Sequence, residues 1–141
     1  MKAKEIMTSD IVSVCGDTSI KEAAVKMRDA DIGSLPVEEN EHLVGIVTDR
    51  DIVLKTVAED LDSSQVKCKE VMSKDVITAT PDMNVEEVAH LMAHNQVKRI
   101  PVVQDEGVVG IISLKDLSHT REDEAGDVLN DITEDSSNTF S

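Results

Sequence analysis

Gly45-Ile46-Val47-Thr48-Asp49-Arg50-Asp51 returns as Gly110-Ile111-Ile112-Ser113-Leu114-Lys115-Asp116, an offset of 65 residues. Working outward at that offset, residues 4–55 align with 69–120 without a gap. Fifteen pairs are identical, among them Lys4/Lys69, Met7/Met72, Asp17/Asp82, Met27/Met92, Pro36/Pro101 and Gly45/Gly110. Others exchange within a class, as Leu35/Ile100 and Thr48/Ser113 do. The chain is an internal duplication, and each copy is best read beside the other.

Each copy reads β-α-β-β-α. Short apolar runs, Ile11–Val14 and Val76–Ala79, predict a first strand that ends at the turn residues Gly16-Asp17 or Pro81-Asp82. Ser19 with Glu22, and Asn84 with Glu87, have the spacing of a helix-opening capping box. Behind them Ile20, Ala23, Ala24 and Met27, and Val85, Val88, Ala89 and Met92, form apolar stripes at helical spacing. Leu35-Pro36-Val37 and Ile100-Pro101-Val102-Val103 predict strands with proline near the start, where a missing N–H is tolerated. The polar tetrads Glu39–His42 and Gln104–Gly107 turn the chain into a further strand. A second helix then runs over about Arg50–Glu59, and in the second copy from Leu114.

The expected organisation is a first repeat over 1–58, a linker over 59–68 and a second repeat over 69–120. An acidic tail helix over 121–134 and a disordered end over 135–141 follow. A single ~50-residue unit buries too little surface to stand alone. Two copies related by a pseudo-two-fold would share a core, an α/β (α+β) arrangement. In the tail, Ala125, Val128, Leu129 and Ile132 fall at helical spacing within an acidic surround, so that helix should cover the body or a partner subunit.

Composition restricts the partners. The formal net charge is −15, and residues 121–141 hold seven acids against Arg121. That field repels nucleic acid and anionic membranes. With no Trp or Tyr, the stacking platforms of single-strand binders are missing as well. No stretch approaches the ~20 apolar residues of a membrane span. The N-terminus has no apolar core of the signal-peptide kind. Cys15 and Cys68 therefore read as free thiols in a reducing cytoplasm.

The repeated motif places a hydroxyl and, three residues on, a carboxylate at a strand-to-helix junction. Two chemistries suit that spacing. A carboxylate accepts both hydrogen bonds of a ribose diol, with the hydroxyl and helix N-terminus beside a phosphate or sugar oxygen. Alternatively Thr48 and Ser113 are helix caps, and Asp51 and Asp116 complement the helix dipole. His90 and His94 stand i, i+4 on one helix, yet no Glu stands between them as in H-E-x-x-H and no third ligand is evident, so they read as a solvated face. No Walker loop, nucleophile elbow or metal cluster appears, and nothing points to an enzyme.

The duplicated βαββα order, with h-P-V before the hairpin and G-h-h-[T/S]-x-x-D after it, resembles the cystathionine-β-synthase (CBS) domain. Over about 4–120 the chain resembles a tandem CBS pair, or Bateman module, of the small stand-alone prokaryotic kind. The resemblance implies a non-catalytic regulatory module that binds an adenosyl ligand such as AMP, ADP, ATP or S-adenosylmethionine in clefts between the repeats. By position it gives Asp51 and Asp116 the ribose, with Thr48 and Ser113 beside them. It sets the backbone around Val14-Cys15 and Ala79-Thr80 at the adenine edge, and Leu35, Ile46, Ile100 and Ile111 around the ring. Arg50, Lys98, Arg99 and Lys115 would take phosphate. Because Lys98-Arg99 corresponds to Gly33-Ser34, one competent cleft is expected rather than two equal ones. The resemblance further implies a homodimer formed through helices, and an output that passes through an effector protein. The alternative is a structural or protein-interaction homodimer whose clefts stay empty.

Overall fold

The computed structural model describes residues 1–118, so the expected tail helix and disordered end lie outside the described residues. The chain forms two compact units, one of Val12–Val76 and one of Met1–Ile11 together with Ile77 onwards. The packing units are thus offset from the sequence repeats. Residues 1–11 pack with the second copy, and the segment around Cys68–Val76 packs with the first.

In the Val12–Val76 unit, α2 (Ile20–Ala30) opens at Ser19, whose side chain accepts from Glu22 N. It closes at Asp31 in the left-handed region, φ 55°. Its stripe buries Ile20, Ala23 and Met27. Strands β1 (Ser34–Glu39) and β2 (His42–Thr48) pair antiparallel. Asn40 and Glu41 join them, at φ 52° and 68°, the doubly positive turn that matches strand twist. After β2 come α3 (Asp49–Ile52) and a π-helical turn, Val53–Val57. Helix α4 (Cys68–Val71) adds Cys68 and Val71 to a core with Val14, Leu35, Val37 and Val47.

The other unit repeats this plan. Helix α1 (Ala3–Ile6) stands where α4 does, and α5 (Val85–Asn95) opens on Asn84. Strands β3 (Arg99–Gln104) and β4 (Gly107–Ser113) pair through Asp105-Glu106 and lead into α6 (Leu114–Ser118). The core gathers Ala3, Val88, Met92, Ile100, Val102, Ile112 and Leu117.

One expectation is corrected. The runs Ile11–Val14 and Val76–Ala79 do not form strands; each contributes a single parallel bridge, Val14 to Val37 and Ala79 to Val102. Val14 N donates to Pro36 O at 3.0 Å and Val14 O accepts from Glu38 N at 2.9 Å. The preceding rung would need an N–H that Pro36 lacks. The following one fails because Gly16 N turns to the Glu39 carboxylate at 2.6 Å. In the second copy Pro101 and Pro81 remove both rungs outright.

The opposite sheet edge is extended by the exchanged segments. Ser73 and Ile46 trade both backbone hydrogen bonds at 2.9 Å, as do Thr8 and Ile111. Gly45 and Gly110 allow this approach. A Cβ at Gly45 would lie 2.9 Å from both Met72 Cγ and Ser73 O, and one at Gly110 would meet Met7. The identical pairs Met7/Met72 and Gly45/Gly110 thus make the same contact once in each unit.

Candidate functional site

Strand β2 ends and α3 begins at Thr48, whose extended backbone stops the ladder. Thr48 Oγ1 accepts from Asp51 N at 3.0 Å, while Asp51 Oδ2 accepts from Thr48 N at 3.0 Å. The second junction is built the same way: Ser113 Oγ accepts from Asp116 N at 3.1 Å, and Asp116 Oδ2 accepts from Ser113 N at 2.8 Å. The capping geometry that the spacing allows is therefore formed. It employs one carboxylate oxygen and leaves the Thr48 and Ser113 hydroxyl protons available to donate. All four residues are half-buried.

Strand register decides what faces this junction. Ser34 lies opposite Thr48 and Pro36 opposite Ile46; Arg99 lies opposite Ser113 and Pro101 opposite Ile111. Directly opposed residues project to the same side of a hairpin. Ile46, Thr48, Ile111 and Ser113 therefore lie, each within its own hairpin, on the side away from Leu35 and Ile100. Those two pair with Val47 and Ile112, and all four are 0% exposed in the cores. Leu35 and Ile100 thus support the sheet from behind, because alternation along a strand sends neighbours to opposite faces.

The backbone set aside for a base is also in use. Val14 and Ala79 each donate and accept in their bridges to β1 and β3. Cys15 N donates to Thr18 Oγ1 at 3.1 Å and Cys15 O accepts from Thr18 N at 3.1 Å. Thr80 O accepts from Met83 N at 3.1 Å. Side chains of Cys15 and Thr80 are exposed.

Among the cations, Arg50, Lys98 and Lys115 are exposed and Arg99 is half-buried. Lys98 O accepts from Leu114 N at 2.8 Å, bringing Lys98 against the start of α6. In the first copy the same bond joins Gly33 O to Asp49 N at 2.9 Å.

Two residues at these junctions were not singled out by sequence. Lys55 Nζ lies 3.3 Å from Asp51 Oδ1 and donates to Val71 O at 3.0 Å. Asp49 leans over Gly33, where a Cβ would sit 2.9 Å from Asp49 Oδ2. The i, i+4 spacing of Asp51 and Lys55 was the available signal.

Elsewhere, Asp17 binds Lys69 and Lys67, and Asp82 binds Lys4 and Lys2, in matched exposed triads. The hydrogen bond from Lys69, with the charge of Lys67, holds the Asp17 carboxyl below its ordinary range. Lys4 and Lys2 do the same for Asp82. His90 and His94 are exposed on α5. Among the described residues no group of three or more His, Cys, Asp or Glu is arranged to hold a metal ion, and no helix is long and apolar enough to cross a membrane.

Comparison with known proteins shows the family and the fold. The CBS domain family model matches residues 3–57 and again 68–123. The uncharacterized protein YlbB of Bacillus subtilis is 43% identical over 137 residues, covering 94% of this chain and 92% of its own. The crystal structure of hypoxic response protein I with two coordinated zinc ions is similar with a TM-score of 0.77 at 30% identity, covering 86% of this chain and 99% of that one. The CBS domain pair of protein MJ0100, in complex with 5′-methylthioadenosine and S-adenosyl-L-methionine, is similar with a TM-score of 0.74 at 34% identity, covering 84% and 93%.

Proposed function

The chain belongs to the CBS-domain family as a tandem pair, and on that premise we propose that it is a non-catalytic sensor of an adenine nucleotide such as AMP, ADP or ATP. CBS pairs are regulatory modules. The observation that carries the reading is the half-buried carboxylate–hydroxyl pair at each strand-to-helix junction. With Oδ2 fixed by the cap, the other carboxylate oxygen of Asp116 would accept from a ribose hydroxyl, and so would that of Asp51, which Lys55 also holds. Ile46 or Ile111 offers an aliphatic surface for the base, which suits a chain whose only aromatic residue is Phe140. Arg50, Lys98, Arg99 and Lys115 supply cations for phosphate. The adenosyl ligands of the MJ0100 pair support this ligand class.

Signalling would be conformational, since a ligand shifts an equilibrium only by its differential affinity for two states. We place the protein in the cytoplasm, as a homodimer acting on an effector protein. Val53, Leu54, Val57 and Leu61 support self-association: they are 47–67% exposed and lie close together in sequence on and just after the π-helical turn.

One observation favours the alternative, a structural homodimer with empty sites. The reciprocal caps are complete without any ligand. A thermal-shift panel of AMP, ADP, ATP and S-adenosylmethionine separates the two readings. Ligand at about 100 times its dissociation constant adds roughly 2.7 kcal/mol, several degrees for a domain of this size. A shift abolished by Asp51→Asn or Asp116→Asn supports the sensor. No shift with any compound rejects it.

A further inference from the structure

The two junctions share a backbone but differ in charge at matched positions. Where Gly33 meets Asp49 in the first copy, Lys98 meets Leu114 in the second. The Asp49 carboxylate lies over Gly33, where a Cβ would come 2.9 Å from Asp49 Oδ2. Across the hairpin, Thr48 faces Ser34, whereas Ser113 faces Arg99. Asp51 Oδ1 is held by Lys55, whose counterpart is Thr120. The first junction therefore carries Asp49 and Asp51 against Arg50 and Lys55. Among these described residues, the second carries Lys98, Arg99 and Lys115 together with Asp116.

Asp49 adjoins Thr48 and lies over Gly33, so an anionic 5′ substituent on that side of the junction would meet its carboxylate, with no lysine at 33 and no arginine at 34 to offset it. A cation there would be attracted. We infer that the two sites take different ligand classes: the second copy binds phosphorylated adenosine, and the first binds an adenosyl compound whose 5′ substituent is uncharged or cationic. Asp49 and Arg99 are the specificity-determining residues. The inference rests on the reading that each junction holds a ribose.

The test is isothermal titration of the full chain with AMP, adenosine and 5′-amino-5′-deoxyadenosine, which share a base and sugar and differ in 5′ charge. Asp51→Asn and Asp116→Asn assign each event to a site. AMP binding should vanish in Asp116→Asn, and binding of the amino compound in Asp51→Asn. Arg99→Ser should weaken AMP about tenfold or more while leaving the amino compound within about twofold. Asp49→Leu should weaken the amino compound severalfold and admit AMP to the first site, raising its stoichiometry from one towards two. The readout is the ratio of the two affinities, which a general loss of folding would not move. Equal AMP affinity at both wild-type sites, or a ratio unchanged by both substitutions, overturns the inference and leaves the ribose reading standing. Failure of all three compounds to bind overturns both.

Discussion

Asp51 shows how one side chain serves two purposes. Oδ2 closes the cap on Thr48 N, and Oδ1 is held by Lys55, which also reaches Val71 O. The helix start is thereby tied to the exchanged segment, at the position proposed to meet a ligand. Gly45 is decided by packing instead. Its missing Cβ is the space that Met72 Cγ and Ser73 O fill. Gly45→Ala should cost about 1–3 kcal/mol, as overpacking does, measured by urea denaturation; a neutral result would mean that the 71–73 segment yields freely. The two cysteines differ as sharply. Burial, with Glu22 nearby, pushes the Cys68 thiol up to about 11, while Cys15 is exposed. Reaction with a thiol reagent at pH 7.5 should label Cys15 rapidly and Cys68 only on unfolding, since the thiolate is the nucleophile. Peptide mapping after a short pulse checks this.

At the scale of elements, the sequence revealed the helices, hairpins and junction motif, because each is specified locally. Ser19 and Asn84 cap their helices as their spacing predicts. The first strands of the repeats were misread because their apolar residues are real core, yet their ladder depends on a partner. Pro36 and Pro101 withhold N–H groups from strands distant in sequence. For the same reason Leu35 looked like a site residue until register sent it to the core. The exchange of leading segments was also hidden, since nothing in Lys4–Met7 says which copy it packs against.

The π-helical turn leaves a mark of its own. Thr56 is fully buried, and among the described residues its Oγ1 is the one buried side-chain polar atom without a partner. An unsatisfied buried hydroxyl is costly. Thr56→Val should therefore stabilise by about 1 kcal/mol in urea unfolding. A loss of that size would mean that the hydroxyl has a role in the turn.

For the whole molecule, the exchanged segments set what stands or falls together. Ala3 is fully buried with Val88 and Met92, and Thr8 extends β4. Deleting residues 1–8 should strip hydrogen-exchange protection from β3 and β4 while β1 and β2 keep theirs. The reverse pattern would place the segment with the first copy. The lysine–aspartate triads fasten the same segments. Because the Asp17 and Asp82 carboxyls lie below their ordinary range when folded, their contribution is present above the unfolded value. It is lost as pH falls through the lowered one. Exchange at Lys4 N and Lys69 N, which bond Pro81 O and Gly16 O, should accelerate at about pH 3 relative to pH 5, beyond the intrinsic change in exchange rate; no change would remove the triads from the account.

The central claim, that the junction motif holds a nucleotide, is tested most directly by mapping amide chemical shifts of the full chain as AMP is added. The account predicts saturable shifts concentrated on Arg99 and on Ile111–Asp116, with the Ser113 and Asp116 amides moving most, and their loss in Asp116→Asn. Shifts confined to other residues, or none at millimolar AMP, would contradict it.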